Sequence, residues 1–225
     1  MKFILLLVVI CLQISAACSR TAQLPASAQN STIQSQTSKV EAVASQTPAS
    51  PIRSVDFANF KYPEVNSRKT FTLQDGEQQT ADDPYSLVEV VYGDATGDGI
   101  EEAFIMQSRS TGGSASPFYV YIYTIKDEKA KLLWAFYAGE RGDGGLRSIS
   151  AYEGTLVVEL YGKNRVVNGE SKNLDDQIGV CCPKFFTRSR YVWMDNHFLQ
   201  MYKEEVLPNL QGNAGYLPLL ERKQT

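Results

Sequence analysis

From about Ile52 the apolar positions of this chain are dense in aromatic and β-branched residues, and turn-forming polar pairs recur between them. Tyr119–Ile125 is rich in aromatic and β-branched residues and reads as a strand. The charged turn Lys126–Lys129 and a second strand, Lys131–Tyr137, complete a predicted hairpin. Leu146–Tyr152, Glu153-Gly154 and Thr155–Tyr161 repeat the pattern with a tighter turn, and Lys184–Met194, Asp195-Asn196 and His197–Tyr202 repeat it again. A further hairpin is predicted from Leu87–Tyr92 and Ala103–Met106, which flank an acidic, glycine-containing run. Helical periodicity is almost absent; Lys203–Leu207 reads as one short helical turn stopped by Pro208. Lys163–Ile178 is polar and rich in Asn, Asp and Gly, and reads as a long exposed loop. The expected fold is mostly β: a single antiparallel β domain, sandwich or barrel-like, built of hairpins. The acidic run occurs once, which argues against a propeller of many similar blades.

The N-terminal region has a different pattern. Residues 1–17 carry one positive charge at Lys2, then the apolar run Phe3–Leu12, then the small residues Ser15-Ala16-Ala17. This is the three-part layout of a signal peptide. The run falls short of the roughly 20 apolar residues a helix needs to span a bilayer. Cys18 follows directly, and here the chain resembles a bacterial lipoprotein precursor, in which such a Cys is lipidated and becomes the new N-terminus. Ordinary cleavage after Ala17 is the alternative. Ser19 after the Cys, by the same resemblance, favours the outer membrane of a Gram-negative cell. Up to residue 51 the chain is Ser, Thr, Gln and Ala with few large apolar residues, too few to offset chain entropy. Residues 18–51 are therefore expected to be a lipidated Cys and a flexible linker, with an r.m.s. span of roughly 30 Å. Residues 52–207 form the β-rich domain, and 208–225 a C-terminal tail.

The formal net charge of the chain is −3 at pH 7. Loss of Lys2 with the leader makes the mature chain more acidic still. No basic cluster offers a footprint for nucleic acid or for anionic lipid headgroups. The expected membrane contact is through the N-terminal lipid, and the expected partner is an envelope protein or ligand. Of the four cysteines, Cys11 is expected to leave with the leader and Cys18, by the resemblance, to be lipidated. The adjacent pair Cys181-Cys182 can form a vicinal disulfide, pair between chains, or stay buried as two thiols. It lacks the spacing and partners of a zinc site.

The acidic run Asp94–Glu102 concentrates oxygen ligands more than any other stretch of the mature chain. With Asp94 as position one, Thr96 is three, Asp98 five, Gly99 six, Ile100 seven and Glu102 nine. This matches the front half of a calcium loop, with side-chain oxygens from Asp94, Thr96 and Asp98, a backbone carbonyl from Ile100 and a late carboxylate from Glu102. Position twelve is Ile105 where an EF-hand has a bidentate Glu, and the flanks read as strands. Calcium bound here would be held weakly, with a dissociation constant on the order of 10⁻⁴ M. Asp and Gly are equally the residues of a plain turn, which needs no metal.

Catalytic signals are sparse. His197 is the single histidine and follows a turn. A Gly-x-Ser-x-Gly elbow does not occur. Asp82-Asp83 and Asp175-Asp176 lie in polar segments and read as solvated charge. Gly112-Gly113 and Gly142–Gly145 do not stand between a strand and a helix, where a phosphate cradle would need them. Arg141-Gly142-Asp143 matches a three-residue adhesion string short enough to arise by chance. Arg188 and Arg190 alternate on a predicted strand and so share one face.

Several segments together carry a resemblance: Tyr92–Ala103, Leu132–Phe136, Asp143–Arg147, Cys181-Cys182-Pro183 and Thr187–Trp193. They resemble a domain of uncharacterised bacterial secreted proteins and lipoproteins, over about Asp56–Leu207. The resemblance implies a domain boundary and no mechanism. The expected function is that of a non-enzymatic cell-envelope lipoprotein, a β-rich ligand- or partner-binding module with calcium as a possible stabiliser. The alternatives are a carboxylate-dependent secreted hydrolase and a thiol redox protein using Cys181-Cys182.

Overall fold

The computed structural model describes residues 50–79, 82–113, 115–140, 144–174 and 183–210. The leader, Cys18, most of the linker, Arg141–Asp143, Asp175-Asp176, Cys181, Cys182 and the end of the tail lie outside the described residues. A 3-10 turn at Pro51–Ser54 opens the described part. Two short strands follow, β1 (Lys61–Pro63) and β2 (Thr70–Thr72), which pair only with each other. The next strands are β3 (Tyr85–Gly93), β4 (Glu102–Arg109), β5 (Phe118–Lys126), β6 (Lys129–Gly139), β7 (Leu146–Tyr152) and β8 (Thr155–Tyr161). After them come β9 (Asn164–Val167), β10 (Glu170–Asn173), β11 (Phe185–Met194), β12 (His197–Gln200) and β13 (Glu205–Pro208).

Two open sheets form the body. One has six strands in the order β3-β4-β5-β6-β10-β9, and the other runs β12-β11-β8-β7 with β13 also paired to β11. All pairings are antiparallel except the short β10–β6 contact at Glu170 and Tyr137. The architecture is thus the sandwich form of the expected fold, not a closed barrel.

Side-chain alternation explains why the six-stranded sheet lies in the middle. Phe104 and Met106 of β4, with Val120 and Ile122 of β5, meet Leu156, Val158 and Leu160 of β8 in a core between the two sheets. Ala103, Ile105, Tyr121 and Tyr123 point the other way, into a second core closed by Ile52, Phe57, Tyr62, Phe71 and Leu73 of the N-terminal segment. Strands β4 and β5 are covered on both faces, so their sequences lose the polar alternation of a half-buried strand. The result is three layers: N-terminal segment, six-stranded sheet, five-stranded sheet.

The predicted hairpins all form. Their two-residue turns, Asp127-Glu128, Glu153-Gly154 and Asp195-Asn196, have positive φ at both positions, as type I′ turns require. Two readings of the sequence need correction. Asn164–Asn173 is not loop but a hairpin, β9–β10, around Asn168-Gly169 at φ 52° and 79°. Val166 is buried in the inter-sheet core, and the Asn164 side-chain amide donates to Tyr161 O at 2.8 Å, which fixes the polar stretch against the sheet. Residues 205–208 extend β11 as β13 instead of making a helical turn, because main-chain pairing from Phe185 to Arg188 is available there. The β1–β2 pair, with three residues per strand, gave no sequence signal.

Candidate functional site

Gly93 and Glu102 pair across the end of β3 and β4, which makes Asp94–Glu101 the connecting loop. The loop's acidic side chains turn inward on its own backbone. The Asp94 carboxylate accepts from Gly97 N at 2.7 Å through one oxygen and from Gly99 N at 3.0 Å through the other. Asp98 accepts from Ile100 N at 2.8 Å. Glu102 Oε2 accepts from Ala95 N at 2.9 Å and Thr96 N at 3.2 Å, and the Thr96 hydroxyl reaches Oε1 at 3.4 Å. Asp94, Thr96, Asp98 and Glu102 therefore do come together in one turn. The Ile100 side chain lies on the rim, 45% exposed. Among the described residues, no group of three or more His, Cys, Asp or Glu side chains is placed to hold one ion.

Glu102 is the unusual member of the set. It is fully buried, at 0% exposure. Burial pushes its carboxyl up to about 7, against the pull of the Ala95 amide and the Thr124 hydroxyl, and the nearby charge of Asp98 adds to the rise. That is the range in which a general acid works. Yet the hydrogen bonds to this group come from its own loop and the neighbouring strand, which suits a structural pin. Glu101 points outward and grips the Arg53 guanidinium through two oxygens, at 2.6 and 2.7 Å. That bidentate hydrogen bond holds the Glu101 carboxyl below its usual range. The same guanidinium lies 4.5 Å from the Tyr92 ring centroid.

The loop also joins the sheets. Gly97 lies against Gly154 in the β7–β8 turn so closely that a Cβ on Gly154 would stand 2.8 Å from Gly97 Cα. Both glycines have positive φ, so neither position accepts a side chain cheaply. A Cβ on Gly93 would likewise stand 2.8 Å from Ala151 Cβ. The acidic turn is a seam between the six- and five-stranded sheets.

A second buried acid went unnoticed in the sequence. Glu159, at 5% exposure, lies in the middle of β8 on the face turned away from the inter-sheet core. The Arg147 guanidinium and the Ser148 hydroxyl (2.7 Å) donate to one of its oxygens. Arg188 donates to the other through Nε at 2.8 Å. Burial pushes this carboxyl up, but the Ser148 and Arg188 hydrogen bonds and the Arg147 charge outweigh it and hold the group below its usual range. The signal was a lone Glu inside an otherwise apolar strand. Its partners are 12 and 29 residues away, beyond what spacing reveals. Arg190 shares the face with Arg188, as expected, and its guanidinium lies 4.7 Å from the Tyr152 ring centroid.

His197 is exposed on β12, its Nδ1 2.9 Å from Asp195 O. Asp83 meets Arg109 Nη2 at 3.5 Å. Gly112-Gly113 lie in the β4–β5 loop, where the Thr111 hydroxyl donates to Ala115 O at 3.0 Å.

The two ends of the sandwich differ. At one end sit the acidic turn, the β5–β6 and β7–β8 turns, and Arg53 at the start of the domain. At the other lie the β4–β5 and β8–β9 connections and the starts of β7 and β11, tied by Tyr161 N to Gly145 O (2.9 Å) and Gly162 N to Phe185 O (2.8 Å). No protein-family model matches the chain, and no curated protein matches it.

Proposed function

We propose that this protein is a non-enzymatic bacterial cell-envelope lipoprotein, a β-rich module whose partner-binding surface is the end opposite the acidic turn. One observation carries the reading. The described domain starts beside the acidic turn, at the Arg53–Glu101 pair, so a tether from Cys18 would attach at that end and leave the opposite loops unobstructed. Glu102 and Glu159 fit a binding module, because both are occupied by internal partners.

The test uses the full-length protein in its own envelope. Mass measurement of the mature N-terminus should find acyl chains on Cys18, and Cys18→Ala should move the protein to the soluble fraction. A partner recovered with the wild type should be lost with Gly113→Arg at the loop end and kept with Ile100→Arg at the turn end. Equal loss with both variants would reject the assignment of the binding surface. An unmodified N-terminus would reject the anchor.

A second reading, calcium at Asp94, Thr96, Asp98, Ile100 and Glu102, is favoured by the burial of Glu102 beside Asp98, since a divalent cation would let that carboxylate stay charged. On this reading millimolar calcium raises the melting temperature and Asp98→Ala removes the rise. No shift in the wild type ends it.

A further inference from the structure

Gln107 lies in β4 at 0% exposure, and neither atom of its amide makes a hydrogen bond of good geometry within the protein. The Tyr121 hydroxyl on β5 is equally buried and equally without one. The two side chains belong together. β4 and β5 pair Gln107 with Tyr119 and Ile105 with Tyr121, so Gln107 and Tyr121 are diagonal neighbours on the face turned towards the N-terminal layer. Tyr62 of β1 covers them, its ring centroid 5.2 Å from that of Tyr121. The Tyr62 hydroxyl donates to Phe57 O at 2.7 Å, and its oxygen lies within reach of the Gln107 amide, at a geometry too poor to satisfy either group fully. Burial pushes both tyrosines far up, so each keeps its proton.

The donors and acceptors define a chemical complement. Gln107 offers two N–H donors and one carbonyl acceptor, Tyr121 a donor and an acceptor, and Tyr62, its proton already used, an acceptor. Leaving these groups unpaired in an apolar layer is strongly unfavourable. Their complement is a small neutral molecule that donates twice and accepts at least once. We propose that an ordered water molecule binds here, donating to the Gln107 carbonyl and the Tyr62 hydroxyl oxygen and accepting from Tyr121 or the Gln107 amide. Three to four bonds are typical of a buried structural water. The interface between N-terminal layer and sheet is then a hydrated polar joint.

A high-resolution crystal structure of the wild-type domain tests this directly. Water density within hydrogen-bond distance of at least two of the three side chains supports the proposal. A direct Gln107–Tyr121 bond, or no density, overturns it. A double-mutant cycle is the independent check. Gln107→Leu and Tyr121→Phe should each lower the melting temperature by about 2–4 °C, and the double variant should lose little more than either, because one bridging molecule is lost once. A rise in the single variants, or losses that simply add, would count against it.

Discussion

Glu102 and Glu159 are buried to nearly the same extent on neighbouring sheets, yet their carboxyls are pushed in opposite directions. Glu102 ends a loop at the seam, where the partners are neutral amides and a hydroxyl and the nearest charge is another acid. Glu159 lies on an outer sheet face, where two guanidinium groups reach it from flanking strands. The contrast shows that burial alone does not set the charge of a strand glutamate; the sign of what faces it decides. At neutral pH one acid is close to half-protonated and the other is a firmly charged member of an ion network.

The largest expected effect breaks the charged side of this contrast. Glu159→Ala leaves Arg147 and Arg188 facing each other without their anion, and should cost about 2–4 kcal/mol in denaturant unfolding. The lower part of that range is expected, because the arginine side chains are 24% and 38% exposed. A loss under about 0.5 kcal/mol would mean that the network behaves like a surface pair.

The pH dependence follows next. Glu102 has a folded value of about 7, above its ordinary 4.5, so the folded state holds the extra proton between these values. Its contribution to stability is full below pH 4.5 and is lost as pH rises through 7, a swing of about 3 kcal/mol at most. Glu159 runs the other way: its contribution is present above about pH 4.5 and fails as pH falls through its lowered folded value. Urea midpoints measured from pH 4 to pH 8 should show a decline between about pH 4.5 and pH 7 in the wild type and lose it in Glu102→Gln.

Gly154→Ala sharpens the seam side. A methyl group there meets Gly97 Cα and forces an alanine to a positive φ, at a cost of about 1–2 kcal/mol. The same variant should admit water to Glu102 and flatten its pH response, which Glu159-dependent acid sensitivity would not share. The smallest effect belongs to Arg53→Ala. The pair it breaks is solvent-exposed, so the melting temperature should move by about 1 °C or less while the pH profile stays unchanged.

The main hairpins were legible because a type I′ turn needs two residues tolerant of positive φ, and Asp127-Glu128, Glu153-Gly154 and Asp195-Asn196 interrupt clear strands. Asn168-Gly169 carries the same signal, but the strands around it are four residues each and lie in a polar stretch, so composition outvoted the turn. The acidic run was legible as a turn, and its Asp-to-backbone bonds are the chemistry those residues favour. What the run touches was not legible. Gly97 meets Gly154 across two sheets, and no local pattern announces a contact between turns so far apart in sequence. Glu159 and Gln107 were hidden for the same reason: each is a polar residue in an apolar strand whose meaning lies in another strand.

The separate pairing of β1 with β2 has a mechanical consequence. A pull along the chain from the N-terminal side is taken up first by the Pro51–Ser54 turn and this small sheet, which joins the six-stranded sheet only through the short Gly76–Gln78 contact with β3 that follows it. The ion pair of Arg53 with Glu101 is the first fastening under load, and the aromatic packing of Phe57, Tyr62 and Phe71 is the next. The N-terminal layer can thus act as a sacrificial strap: it peels and lays bare a tyrosine-lined surface while the hairpins of the sandwich keep their register.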